Sequence, residues 1–143
     1  MFKPFVLFLD PVLQPADRTR FLCLLLLVTL VTALLFFGSQ PGAEAVIPTP
    51  PWDKLAHLFV FGGFAALGWV VLGARSYLGP VLLTGIIGLM DEGMQYYAPG
   101  RTADITDIVA DLIGATIALL VLKLLRDQAI RQRAVIPVPT DSA

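Results

Sequence analysis

Long apolar stretches alternate with short polar links along this chain. The first stretch, Phe21 to Phe37, holds no charged side chain and ends at Gly38-Ser39-Gln40-Pro41-Gly42. A proline-rich loop, Pro48 to Pro51, leads to Trp52, which is placed like an interfacial anchor. A second stretch runs from about Lys54 to Gly73, and Arg75 lies in the link that follows. The third runs from about Leu78 to Tyr97 and closes on the pair Tyr96-Tyr97. The fourth runs from about Ile105 to Leu125. Each is near the ~20 residues that a helix needs to cross a bilayer. The pattern predicts an all-α fold, an integral membrane four-helix bundle.

Composition agrees with this plan. Of the 143 residues, 57% are hydrophobic and 15% charged, against about 25% charged in an ordinary soluble domain. The single cysteine, Cys23, excludes an intramolecular disulfide and a cysteine metal motif. Residues 1–20 read as a cytoplasmic or interfacial segment, 21–125 as the membrane domain, and 126–143 as a disordered cytoplasmic tail. Ala43-Glu44-Ala45 fits a signal-peptidase site, but the apolar run before it is longer than an ordinary leader core, so the first stretch is expected to stay as a span.

Charge gives the spans a direction. With the N-terminus inside, the inner segments hold Lys3, Arg18, Arg20, Arg75, Lys123, Arg126, Arg131 and Arg133, and the outer ones only Lys54 and Arg101. The positive-inside rule then places both termini in the cytoplasm. The outer end carries Glu44, Asp53, Asp91, Glu92, Asp104, Asp107 and Asp111.

This acidic end is the richest candidate chemistry. A lone acid at the centre of a span costs roughly 2.5–3.5 kcal/mol on insertion scales, so several close together require a shared polar site. Helical spacing groups them. His57 lies a turn beyond Asp53 and Lys54, Gln95 a turn beyond Asp91 and beside Glu92, and Asp111 a turn beyond Asp107. Asp53, Lys54, His57, Asp91, Glu92, Gln95, Arg101, Asp104, Asp107 and Asp111 therefore form the expected polar pocket. Asp53 and Asp104 have a second reading as helix N-caps. Lys54 has one as a snorkelling side chain, and Arg101 is expected to pair with one or more acids. Ala110, Gly114 and Ala118 make a small-xxx-small face on the fourth span. Gly62, Gly63, Gly85 and Gly88 are expected to serve the same close packing.

Three blocks in this stretch carry a resemblance: Asp53-Lys54-x-x-His57, Asp91-Glu92-x-x-Gln95, and Gly100-Arg101-x-x-Asp104-x-x-Asp107 leading to Gly114. In order and spacing they resemble the VanZ-like membrane protein family over about residues 52–115. One departure is Asp111, where that family often has asparagine. The resemblance implies a bacterial multi-pass inner-membrane protein with an envelope-related role. The family takes its name from a member linked to resistance to the glycopeptide teicoplanin.

Three functions remain open on the sequence. The first is a pocket protein that binds a cell-wall precursor, a lipid headgroup or a glycopeptide. The second is a membrane enzyme using carboxylate and histidine acid–base chemistry on a lipid-linked substrate, or a hard divalent cation held by His57, Asp91, Glu92 and Asp107. The third is a proton or small-cation transporter, which with so few spans needs an oligomer. A homo-oligomer is compatible with the first two as well. Membrane lipids are the expected surroundings. There is no nucleic-acid signature and no recognisable cofactor motif, so no cofactor, metal or catalytic residue is assigned.

Overall fold

The computed structural model describes residues 15–40 and 51–134. They form four helices, α1 (Asp17–Gly38), α2 (Trp52–Val71), α3 (Leu78–Tyr97) and α4 (Ile105–Ala134), with no strand among the described residues. The Ala43-Glu44-Ala45 motif and most of the proline-rich loop lie outside the described residues, as do 1–14 and 135–143.

Three of these helices are long and apolar enough to cross a membrane: α1, α2, and α4 over Ile105–Gln132. Helix α3 has 20 residues, the length of α2, and gives its last two turns to polar side chains. From Phe21 to Phe37, helix α1 is apolar nearly all round. Only Leu27 is buried on it, while Phe21, Leu25, Val28 and Phe36 face outward. Outward-facing Phe59, Leu89, Ile113, Ile117 and Leu120 extend this apolar surface over the other three helices. A belt of that extent suits lipid and not water.

Helices α2 and α4 make the most extensive contact of the bundle, and glycine is the reason. A Cβ at Gly114 would collide with the Leu58 carbonyl, and one at Gly62 would stand 3.1 Å from the Gly114 carbonyl oxygen and 3.6 Å from Ala118 Cβ. The small-xxx-small face thus sets the α2–α4 distance. Gly63 does not belong to it: nothing lies within 4 Å of where its Cβ would stand, because it points away from the bundle.

Two apolar clusters fill the interior. One gathers Ala65, Trp69, Val70, Ala115, Leu119 and Ala129, with Cys23 packed at its edge. The other gathers Leu27, Phe61, Phe64 and Ile87, directly beneath the polar end. Between α2 and α3 the chain turns through Gly73 and Ala74, both at positive φ, 80° and 57°. Ala74 N–H closes back on the Trp69 carbonyl at 2.8 Å, the bond that ends a helix in a left-handed residue. Arg20 Nε donates to the Val71 carbonyl at 3.2 Å and Arg126 Nη1 to the Ala74 carbonyl at 2.6 Å. The two arginines, assigned only a topological part in the sequence, also tie this turn to α1 and α4.

Helix α4 corrects the expected tail. It continues past Leu125 to Ala134, so residues 126–134 are helical. Hydropathy falls there, but every residue from Arg126 to Ala134 is compatible with a helix and the next proline is Pro137. Ala129 is buried in the first cluster, which gives the extension a tertiary anchor. The described part of the expected N-terminal segment likewise joins α1, from Asp17 onward.

Candidate functional site

The polar end of the bundle is assembled from α2, α3, the link after α3, and the start of α4. Helix α4 contributes Asp107 and Asp111 on one face, both buried. Helix α2 presents Lys54 and His57 to that face. Lys54 Nζ donates to Asp104 Oδ2 at 2.7 Å and to Asp107 Oδ1, and stands 3.4 Å from Asp53 Oδ2. One ammonium therefore serves three carboxylates, which removes the reading of Lys54 as a mere snorkelling side chain.

His57 is held on three sides. Its Nδ1 meets Asp111 Oδ1 at 2.8 Å, its Nε2 lies 3.7 Å from Asp107 Oδ2, and its ring stacks on Phe61 at 5.5 Å. Asp111 is fully buried, and its Oδ2 has no partner among the described residues. Gly88 on α3 makes room for that oxygen: a Cβ there would stand 2.5 Å from Asp111 Oδ2. The glycine expected to serve helix packing thus accommodates the Asp111 carboxylate.

Helix α3 completes the site with Asp91, Glu92 and Gln95, all buried. Gln95 Nε2 donates to Asp91 Oδ2 at 3.1 Å. Glu92 Oε2 accepts from the Asp104 backbone N–H at 2.6 Å, and Glu92 Oε1 has no partner among the described residues. The end of α1 closes over this group, with Asp91 Oδ1 3.5 Å from where a Cβ of Gly38 would stand.

The two proposed caps separate. Asp104 precedes α4 and its Oδ1 accepts from the Thr106 N–H at 2.8 Å, the bond of an N-cap. Asp53 lies inside α2, whose N-cap position is Pro51, and its Oδ1 accepts from the next N–H, that of Lys54, at 2.8 Å. Arg101 departs from its expected role. Among the described residues it makes no ion pair within 4 Å, and its backbone N–H closes the link by donating to the Ala98 carbonyl at 3.2 Å. Its side chain lines a cavity of about 140 Å³ instead.

The lining of that cavity is mixed: Asp53, His57, Asp91, Gln95 and Arg101 are polar, and Leu34, Val60 and Phe61 are apolar. Leu34 belongs to α1, and no polar residue in the sequence marks that helix as part of the site. Phe61 was detectable only as an aromatic one turn beyond His57.

Asp104 also sets a pH dependence. The Lys54 ammonium that donates to it holds its carboxyl well below the usual carboxylate range. A depressed folded value contributes stability above the unfolded pKa of about 3.9, and that contribution is lost as pH falls through the folded value. The Asp104 contribution should therefore be constant from pH 8 to about pH 5 and decline below about pH 4. Asp104→Asn should keep the cap and remove this acid-dependent part, whereas Asp104→Ala should lose both. Melting temperatures of the three proteins across pH measure the difference.

Comparison with known proteins places this arrangement. The model of the VanZ/LLP1 family matches residues 20–126. An uncharacterized protein of Schizosaccharomyces pombe is 34% identical over 91 residues, a stretch that covers 61% of this chain and 56% of that protein. The chain thus spans a little over half the length of this relative. No solved structure matches.

Proposed function

The chain belongs to the VanZ/LLP1 family, and on that premise we propose that it is a membrane protein whose polar end faces outward and binds the headgroup of an amphipathic molecule. The mixed lining of the cavity carries this reading. Leu34, Val60 and Phe61 suit an acyl or prenyl chain, and Asp53, Asp91 and Arg101 suit a headgroup with charges of both signs. The orientation follows from charge: Arg18, Arg20, Arg75, Lys123, Arg126 and Arg131 belong to the opposite end, which the positive-inside rule puts in the cytoplasm with both termini.

In this reading the setting is a bacterial inner membrane and the role is envelope-related. Binding a lipid-linked wall precursor or a lipid headgroup would alter what a glycopeptide can reach. The fission-yeast relative favours the headgroup, which occurs in both kinds of cell, over a wall precursor specific to bacteria.

The test is lipid analysis of the full chain purified in mild detergent. Arg101→Ala should lower the amount of co-purifying charged lipid about tenfold, because one charge-assisted hydrogen bond contributes roughly 1.5–3 kcal/mol. Helix content should stay unchanged. Glu92→Gln should change which headgroups are retained. Wild-type lipid content and wild-type glycopeptide sensitivity in both folded variants would sink the proposal.

A further inference from the structure

We propose that the polar site holds a divalent cation, with His57, Asp91 and Glu92 as its protein ligands and Asp111 as the residue that orients His57. This rests on the reading of the polar end as a ligand site and names an ion within it.

Charge leads to the proposal. Lys54 is committed to Asp53, Asp104 and Asp107. Asp91, Glu92 and Asp111 are left with no lysine or arginine within 4 Å among the described residues. All three are buried, 3%, 6% and 0% exposed respectively. Three carboxylates around one imidazole in a desolvated site must be neutralised, by protons or by a cation, since an unpaired buried charge costs several kcal/mol. Gln95 and the Asp104 N–H supply hydrogen bonds but no charge.

Geometry shows where a cation fits. One donor atom from each of His57, Asp91 and Glu92 falls within 4.8 Å of the other two. Ligand atoms around an ion with bonds of about 2.0–2.2 Å stand roughly 3–4.4 Å apart, so small side-chain rotations close the set. Glu92 supplies the independent sign of a ligand: its Oε1 is buried and without a partner among the described residues, although the same carboxylate's Oε2 is satisfied.

The His57–Asp111 contact fits the same role. With Nδ1–H donated to Asp111 Oδ1 at 2.8 Å, the neutral ring presents the Nε2 lone pair, which metal ligation requires. A carboxylate on the far nitrogen is the usual outer partner of a metal-bound histidine. Asp107 Oδ2, 3.7 Å from Nε2, is the nearest further oxygen, while the other oxygen of that carboxylate is held by Lys54. One imidazole with two carboxylates suits Mn²⁺ or Zn²⁺ better than Ca²⁺, which prefers oxygen alone. Open coordination positions would face the cavity that His57 and Asp91 also line.

The test uses the full chain in detergent, stripped of metal and titrated separately with Mn²⁺ and Zn²⁺. Elemental analysis after gel filtration should find about one ion per chain. His57→Ala and Glu92→Gln should each weaken binding at least tenfold. Asp111→Asn should weaken it by about 10–100-fold without being a ligand. The Mn²⁺ form should show nitrogen coupling from one imidazole in pulsed electron paramagnetic resonance, a readout that depends on no variant folding. Wild-type protein that takes up neither ion, or takes up Mn²⁺ without nitrogen coupling, would overturn the proposal. Arg101→Ala should keep the ion and lose the lipid. Loss of lipid binding with no metal would therefore reject the ion alone, and metal with unchanged lipid would reject the headgroup reading alone.

Discussion

Gly114→Ala should destabilise the bundle more than any other single-methyl change in the helices. The added Cβ would overlap the Leu58 backbone, with the Leu58 carbonyl carbon at 2.8 Å and its Cα at 2.9 Å. No side chain can rotate to relieve this, because the obstructing atoms are main chain of α2. The helices must move apart, and the separation would propagate to Gly62 and Ala118 at the same crossing. Overpacking in a close-packed core costs about 1–3 kcal/mol when side chains can yield; here backbone must yield, so a loss of about 3 kcal/mol or more is expected. Gly63→Ala is the internal control. Its Cβ would meet nothing within 4 Å, and alanine is the better helix former by up to about 1 kcal/mol. Thermal or denaturant unfolding in one detergent should separate the pair. Equal stabilities would mean that α2 and α4 do not cross at these residues.

The same two glycines mark the limit of what the sequence reveals. Both fit a small-residue pattern, and only the helix-to-helix geometry decides that Gly114 faces α2 while Gly63 faces outward. Helical spacing puts Lys54 with His57, Asp91 with Gln95, and Asp107 with Asp111 on shared faces, and in the fold these side chains and Glu92 lie at one end of the bundle, because period and topology act together. The bounds of α3, Leu78–Tyr97, were legible from its aromatic end and the Pro-Gly that follows. The end of α4 was not, since a fall in hydropathy marks a membrane boundary and a helix can continue through it. Nor was the part played by α1. Leu34 and Gly38 carry no polar mark, and their place beside the site depends on how a featureless apolar helix docks. Partner choice was the least legible of all. Arg101 and Lys54 are both cations amid the acids of the polar end, but only Lys54, on the face of α2 that meets α4, reaches the carboxylates.

Lys54→Met should therefore be the most damaging change in the polar site. It removes the one ammonium shared by Asp53, Asp104 and Asp107 and leaves the buried Asp107 carboxylate without its cation. Breaking a fully buried pair costs about 3–5 kcal/mol, and an exposed one contributes at most about 1 kcal/mol. The Lys54 side chain is 30% exposed and that of Asp107 9%, so about 2–3 kcal/mol is expected, between those limits. The loss should shrink in the double variant Lys54→Met/Asp107→Asn, because the stranded charge is then gone. It should also depend on pH with a definite sign. In the wild type the Lys54–Asp104 contribution is complete at neutral pH and survives to below the ordinary carboxylate range. In the variant the Asp104 carboxyl moves back toward the ordinary range, with the Thr106 hydrogen bonds still holding it down. The gap in stability should hold from pH 8 to about pH 5 and close only below about pH 4. High salt should narrow it only slightly, since screening acts weakly on partly buried pairs. A gap that vanished at 0.5 M salt, roughly a 4 Å screening length, would instead place Lys54 on an exposed surface and dissolve the link between α2 and α4 on which the site depends.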